Sequence, residues 1–157
     1  MELDLNAIQS AAVAGLPARA RWIVGDTPLD FDFTGARRGL RRITRDDVGG
    51  AIPDLWSNLL VFGGVDYAEG GGAWPLIAVR ASDGAVCGLH LDRDGDEAVF
   101  LFSSSIHQFV HTFVALDPYL RLGQRLPADI EARVRGIDPQ AYPVSEWRLL
   151  IQHESAA

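Results

Sequence analysis

Trp74-Pro-Leu-Ile-Ala-Val-Arg80, Ala85-Val-Cys-Gly-Leu-His-Leu91 and Glu97-Ala-Val-Phe-Leu-Phe102 are three successive apolar runs, and their reading decides the fold. Ser82-Asp83-Gly84 separates the first two, and Asp92-Arg-Asp-Gly-Asp96 the second two. Each spacer carries an Asp-Gly pair, which supplies the positive φ that tight hairpin turns demand. The pattern predicts a three-stranded antiparallel meander. Val99 to Phe102 is apolar without a break, which predicts a strand covered on both faces near the sheet centre.

A covering element follows at once. Ser105-Ile-His-Gln108 reads as a capping box, and Ile106, Phe109, Val110, Phe113 and Val114 recur at helical spacing, so a helix should lie back on the sheet. Upstream, Pro53 suits the first turn of a helix whose apolar side is Leu55, Trp56, Leu59, Leu60 and Phe62, ended by Gly63-Gly64. The loop from Val65 to Ala73 contains Gly70-Gly71-Gly72. A phosphate cradle needs a strand before its glycines and a helix after them, and the expected order here is the reverse.

The N-terminal third opens with an amphipathic helix over Leu3 to Val13, with Leu5, Ile8 and Ala12 on one side and Gly15-Leu16-Pro17 as its stop. Arg21-Trp-Ile-Val24 reads as a strand, and Leu29-Asp-Phe-Asp-Phe33 as a second strand with one wet face, turned by Thr34-Gly35. Five arginines (Arg37, Arg38, Arg41, Arg42 and Arg45) then fall within nine residues. Leu40 and Ile43 should point inward and Asp46-Asp47 should offset part of the charge, as in a solvated edge. In the C-terminal part, Asp117-Pro118 is expected to break the helix. Pro127 opens another with Ile130 and Val134 inward and Gly136 as its stop, and Trp147, Leu150 and Ile151 mark a last helix before a frayed tail from His153.

The length of 157 residues fits one domain of α+β type spanning the whole chain, mainly an antiparallel sheet packed by helices. A domain of that size buries about 70% of the surface its unfolded chain exposes, so no disulfide is required. The single Cys87 lies on the same face as Leu89 and Leu91 and reads as a buried, inert thiol suited to a reducing compartment. No apolar run approaches a membrane span, and Glu2 and Asp4 stand where a signal peptide would be basic; together these predict a cytoplasmic protein. The net charge of -7, with every basic residue an arginine, disfavours nucleic acid or an anionic membrane as partner and permits a basic protein.

No cofactor, metal or catalytic constellation is expected. His107 and His111 share one side of a helix with Gln108 and Thr112, but two histidines lack the further ligands a metal wants. Asp92, Asp94 and Asp96 resemble the start of a calcium loop, yet Gly95 comes one residue too early and the chain returns directly to an apolar strand. Ser103-Ser104-Ser105 lacks the flanking glycines of a nucleophile elbow and is better read as helix capping.

Trp56-Ser-Asn-Leu-Leu-Val-Phe-Gly-Gly64, the Asp-Gly hairpins and Ser103-Ser-Ser-Ile-His-Gln-Phe109 together resemble the SUKH superfamily, which includes bacterial immunity proteins and fungal cell-wall-synthesis regulators. The likeness is carried best by Pro53 to Leu116, and Ile137-Asp-Pro139 to Trp147 is similar to one bacterial immunity subgroup. The resemblance implies a non-catalytic immunity protein that binds and neutralises a cognate toxin such as a nuclease. A regulatory or scaffold module on the same fold is the alternative it leaves open, and a small metal-dependent enzyme around His107 and His111 is a third. From Asp54 to Glu97 eight acidic residues stand against Arg80 and Arg93, a local balance of -6, which suits a basic partner. Tyr67, Glu69 and Trp74 from the glycine-rich loop, with Asp92, Asp94, Asp96 and Glu97 from the hairpin tip, are the expected partner-binding residues, since acidic tips steer and aromatic rings anchor.

Overall fold

A computed structural model describes residues 4–67, 76–90 and 98–156. These residues form an α+β fold, and among them the antiparallel sheet has seven strands, six in the order β1-β2-β4-β5-β6-β7 and β3 paired with β4.

Asp4 caps α1 (Leu5–Gly15) by accepting the Ala7 amide at 3.1 Å. Ala12 is buried, but Leu5 faces solvent, against expectation, because the contact with the core begins only at Ile8. β1 (Arg19–Val24) and β2 (Thr27–Asp32) form a hairpin that turns at Gly25, whose φ is 62°. Trp22, Leu29 and Phe31 face the core, while Arg21 and Asp30 pair on the wet face through two contacts of 2.6 and 3.0 Å. Thr34-Gly35 does not merely turn the chain, since α2 (Thr34–Arg38) begins there. β3 (Arg41–Arg42) and α3 (Arg45–Val48) follow. Ile43 is buried and Leu40 partly so, as expected.

The expected helix from Pro53 to Phe62 is absent. Asp54–Trp56 is a single 3-10 turn, and Leu59–Tyr67 is β4, the strand that joins β2 and β3 on one side to β5 on the other. Leu59 and Val61 face a small cluster with Ile43, Trp56, Ala78, Leu89 and Ala98, whereas Phe62 and Val65 face the main core. Both faces of β4 are covered, so its apolar residues follow neither the period of two nor a polar stripe. Gly63-Gly64 lies inside this strand. A Cβ on Gly63 would stand 2.7 Å from the Phe33 ring and 2.9 Å from the Asp32 carbonyl, which is why the strand carries glycine where the end of β2 and the Phe33 ring crowd it.

The meander is present as β5 (Leu76–Arg80), β6 (Val86–Leu89) and β7 (Val99–Ser103), each antiparallel to the next. Gly84, at a φ of 80°, closes the first turn with Asp83, which grips Arg80 through contacts of 2.9 and 2.5 Å. The second turn lies outside the described residues. β7 is a terminal strand rather than a central one, and Val99, Phe100 and Leu101 are only half-buried. Cys87 shares the face of Leu89 and is buried, and that burial pushes its thiol pKa up.

α4 (Ile106–Leu120) lies across the sheet. Ser105 caps it by accepting the Gln108 amide at 3.3 Å, but the Gln108 side chain meets the serine hydroxyl and the Ile137 carbonyl, so the reciprocal half of a capping box is not formed. Phe109 and Phe113 are fully buried and sit among Trp22, Phe31, Phe33, Phe62, Phe102 and Trp147. Asp117-Pro118 does not break the helix. Val114 and Pro118 are both exposed, so the carbonyl deprived of a donor faces water, and the helix ends two residues later. Asp117 itself is buried and accepts Trp22 Nε1 at 2.8 Å while pairing with Arg121.

α5 (Ile130–Ile137) buries Ile130 and Val134 as expected, but Gly136 lies within it and Asp138 ends it. α6 (Glu146–Ala156) buries Trp147 and Ile151 and continues through the segment expected to fray. The three serines before α4 have three uses. Ser103 Oγ accepts Trp147 Nε1 at 3.1 Å, Ser104 donates to Asp138 through its amide at 2.6 Å and its hydroxyl at 2.8 Å, and Ser105 is the cap. Ser145 closes this seam, since its hydroxyl donates to the Phe102 carbonyl at 2.5 Å and accepts the Trp147 amide at 3.0 Å.

Candidate partner-binding surface

Of the seven expected contact residues, only Tyr67 belongs to a described element, as the last residue of β4, where it pairs with Leu29; its side chain lies outside the described residues. Glu69, Trp74, Asp92, Asp94, Asp96 and Glu97 also lie outside them. The described strands nonetheless fix where the two stretches are attached. Gly64 pairs with Leu76, Leu76 with Leu89 and Leu89 with Val99, so the strand ends that flank residues 68–75 and 91–97 all open at one end of the sheet. Neighbouring strands stand about 4.8 Å apart, which places Gly64 and Val99, on the outer two of these four strands, within about 15 Å of each other.

At the same end the sheet curls around a cleft of about 300 Å³ that sequence reasoning missed. Leu29 and Phe31 of β2, Val65 of β4 and Phe100 and Phe102 of β7 form its walls, and Trp147, Leu149 and Leu150 of α6 form its roof. Polar atoms enter from Thr27, Glu146 and His153. Leu149 is 58% exposed and Val144, just before α6, is 73% exposed, so the roof carries apolar surface into solvent. The one signal in the sequence was Leu149-Leu150 beside Trp147 and Ile151, which makes the last helix apolar over more of its circumference than burial against one face requires.

The histidines stand elsewhere. His107 and His111 are exposed on α4, and His111 borders a groove with Val114, Pro118, Tyr119 and Arg133 against α5. Thr112, expected beside them on the polar side, is buried instead, because α4 is covered by α1 and α5 as well as by the sheet. Among the described residues no three His, Cys, Asp or Glu side chains come together as a metal site, and no helix is long and apolar enough to cross a membrane.

The chain matches no family model, no curated protein and no solved structure.

The arginine cluster lies away from the cleft, on α2, β3 and α3. Arg41 grips Asp47 through contacts of 2.7 and 3.0 Å. Burial raises the Asp47 pKa, but the Arg41 guanidinium and the Thr44 amide and hydroxyl outweigh it and hold the carboxyl below its usual range. Asp32 is held low in the same sense, with burial opposed by Thr34 and by the charges of Arg19 and Arg38.

Proposed function

We propose that the protein is a non-catalytic immunity protein of the SUKH type, which binds a cognate basic toxin inside the producing cell and neutralises it. The observation that carries this reading is convergence. The attachment points of the acidic 91–97 stretch and of the aromatic 68–75 stretch open at one end of the sheet, beside an apolar cleft with exposed Leu149 at its roof. Acidic side chains raise the encounter rate with a basic partner, and an adjoining apolar surface supplies the short-range energy that slows its departure.

The test is kinetic binding to the product of the adjacent gene at two salt concentrations. Reversing the charges of Asp94 and Asp96 should slow association and flatten its salt dependence while leaving the melting temperature unchanged. Trp74→Ala and Leu149→Arg should instead speed dissociation, by about tenfold or more if either is an anchor. Unaltered rates in all three variants would remove the interface from this end of the molecule, and absence of any complex would sink the immunity reading itself.

A further inference from the structure

We infer that the cleft beneath α6 is a binding site for a small, uncharged aromatic molecule, a function that does not depend on the immunity reading. Its roof is one stripe of the helix. Glu146, Leu149, Leu150 and His153 recur at the spacing that puts side chains on one side of a helix, and all four line the cleft. Trp147 and Ile151 form the neighbouring stripe and are buried in the main core. α6 thus carries two apolar stripes. One fills the core, and the other overhangs an open space, with Leu150 half-buried and Leu149 exposed.

The way the helix is tied down keeps that space open. At the β7 end the Ser145 hydroxyl donates to the Phe102 carbonyl at 2.5 Å, and Trp147 Nε1 donates to Ser103 Oγ at 3.1 Å. Towards the other end Ile151 is fully buried, and His153 Nε2 stands 3.5 Å from where a Cβ on Gly25 would lie, at the turn between β1 and β2. The helix cannot descend onto Leu29 and Phe31 without giving up these contacts. Apolar volume that its surroundings cannot close is costly to leave empty and stays dry, so an apolar ligand gains by filling it.

The lining states the chemistry of the occupant. Apart from Thr27, Glu146 and His153, every lining side chain among the described residues is apolar, and Phe31, Phe100, Phe102 and Trp147 bring aromatic rings. Phe100, Phe102 and Trp147 follow one another at centroid distances of 5.2 and 5.0 Å with planes inclined by 64° and 51°, a curved wall that offers a further ring tilted contacts of the kind aromatic pairs prefer. The volume of about 300 Å³ equals that of about ten water molecules, which suits a ligand of about ten non-hydrogen atoms. Glu146 and His153 stand seven residues apart, roughly 10 Å along the helix axis, the length of one para-substituted ring. An anion would meet the Glu146 carboxylate and a chain of net charge -7. A cation could meet that one carboxylate, at one end, and would lose its hydration along the hydrocarbon walls. An uncharged ring with a single hydroxyl avoids both costs and can turn the hydroxyl towards Thr27 and His153 at the other end. With sheet below and helix above, the space suits a free molecule better than a side chain, whose backbone would have to follow it between the two.

The experiment is a set of parallel titrations of the full chain, labelled at its leucine and valine methyl groups, with p-methylbenzyl alcohol, p-methylbenzylamine and p-toluate. The alcohol should shift the methyl signals of Val24, Leu29, Val65, Leu149 and Leu150 and leave Val114, on the far groove, unmoved. The amine and the carboxylate should bind about tenfold more weakly or worse. Leu150→Phe should fill the cleft, abolish binding of the alcohol and leave the melting temperature unchanged or raised. If that variant does not fold, the shifts in the unaltered protein and weakened binding in Leu149→Asn decide. Absence of shifts at the cleft methyls would overturn the site, and equal or tighter binding of either charged probe would overturn the class of ligand. Displacement of the bound alcohol by the product of the adjacent gene would give the cleft to an aromatic side chain of that partner and overturn a free ligand. The immunity reading rests on formation of the complex itself, so the two can fail separately.

Discussion

Phe109 and Ser105 stand four residues apart at the start of α4 and hold it in different ways. Phe109 is fully buried with its ring between Phe102, Trp147 and Phe62, at centroid distances of 5.5, 5.4 and 5.8 Å. Phe109→Ala should therefore cost about 3 to 5 kcal/mol, and Ser105→Ala only about 1 kcal/mol through the lost cap. Urea unfolding of the two variants checks the ratio, and comparable small losses would mean that α4 is not anchored by its rings. Phe109 was legible because helical spacing marks an inward face. Asp138 was not, although its carboxylate takes the Ser104 amide and hydroxyl and the Ala141 amide, because 34 residues separate it from its main partner. Nothing local announces a buried acceptor whose donors arrive through the fold, and the same holds for Asp117 beneath Trp22.

At the scale of elements, strands with one wet face were the easiest to read and β4 the hardest. β2 alternates Leu29 and Phe31 with Asp30 and Asp32, and the structure reproduces that alternation. Leu59 to Phe62 has apolar residues on both faces, so the same run satisfies helical spacing and strand pairing, and Pro53, which suits a first helical turn, adds a helix signal where the chain forms a strand. Trp56 to Gly64 was one of the stretches carrying the family resemblance, and its expected helix is a strand after a 3-10 turn. The meander was read correctly in pairing but placed at the centre of the sheet instead of its end, since apolar content on both faces does not distinguish a neighbouring strand from a neighbouring helix. Gly63 tests the corrected assignment. Gly63→Ala would press a methyl onto the Phe33 ring and the Asp32 carbonyl, and overpacking of this kind costs about 1 to 3 kcal/mol. In a helix the same change would stabilise. The sign of the shift in melting temperature separates the two.

For the molecule as a whole, acid is the informative stress. The Arg21 hydrogen bond holds the Asp30 pKa below its usual range, and the Arg80 hydrogen bond does the same for Asp83. A carboxylate with a lowered pKa adds stability that is complete above its unfolded value, about 3.9 for aspartate, and is lost as pH falls through the lower folded value. Stability should therefore hold from neutrality to about pH 5 and decline below about pH 4. Replacing Arg21 and Arg80 by glutamine should shallow that decline without changing its direction, which urea midpoints measured across the range would reveal. The candidate site was legible only in composition. Acidic and aromatic residues could be counted along the chain, but the cleft joins β2, β4, β7 and α6, and no reading of neighbours in sequence brings those four together.

The seam between Trp147, Ser103 and Trp22 has a consequence for biogenesis. Trp22 and Trp147 lie 6.0 Å apart by ring centroid, and Ile151 is buried in the same cluster. The first hairpin thus meets its covering helix only after the residues as far as Trp147 have been made. Native contacts of such long separation close late and slowly, and a ribosome-bound chain without α6 would leave β7 and the aromatic cluster uncovered.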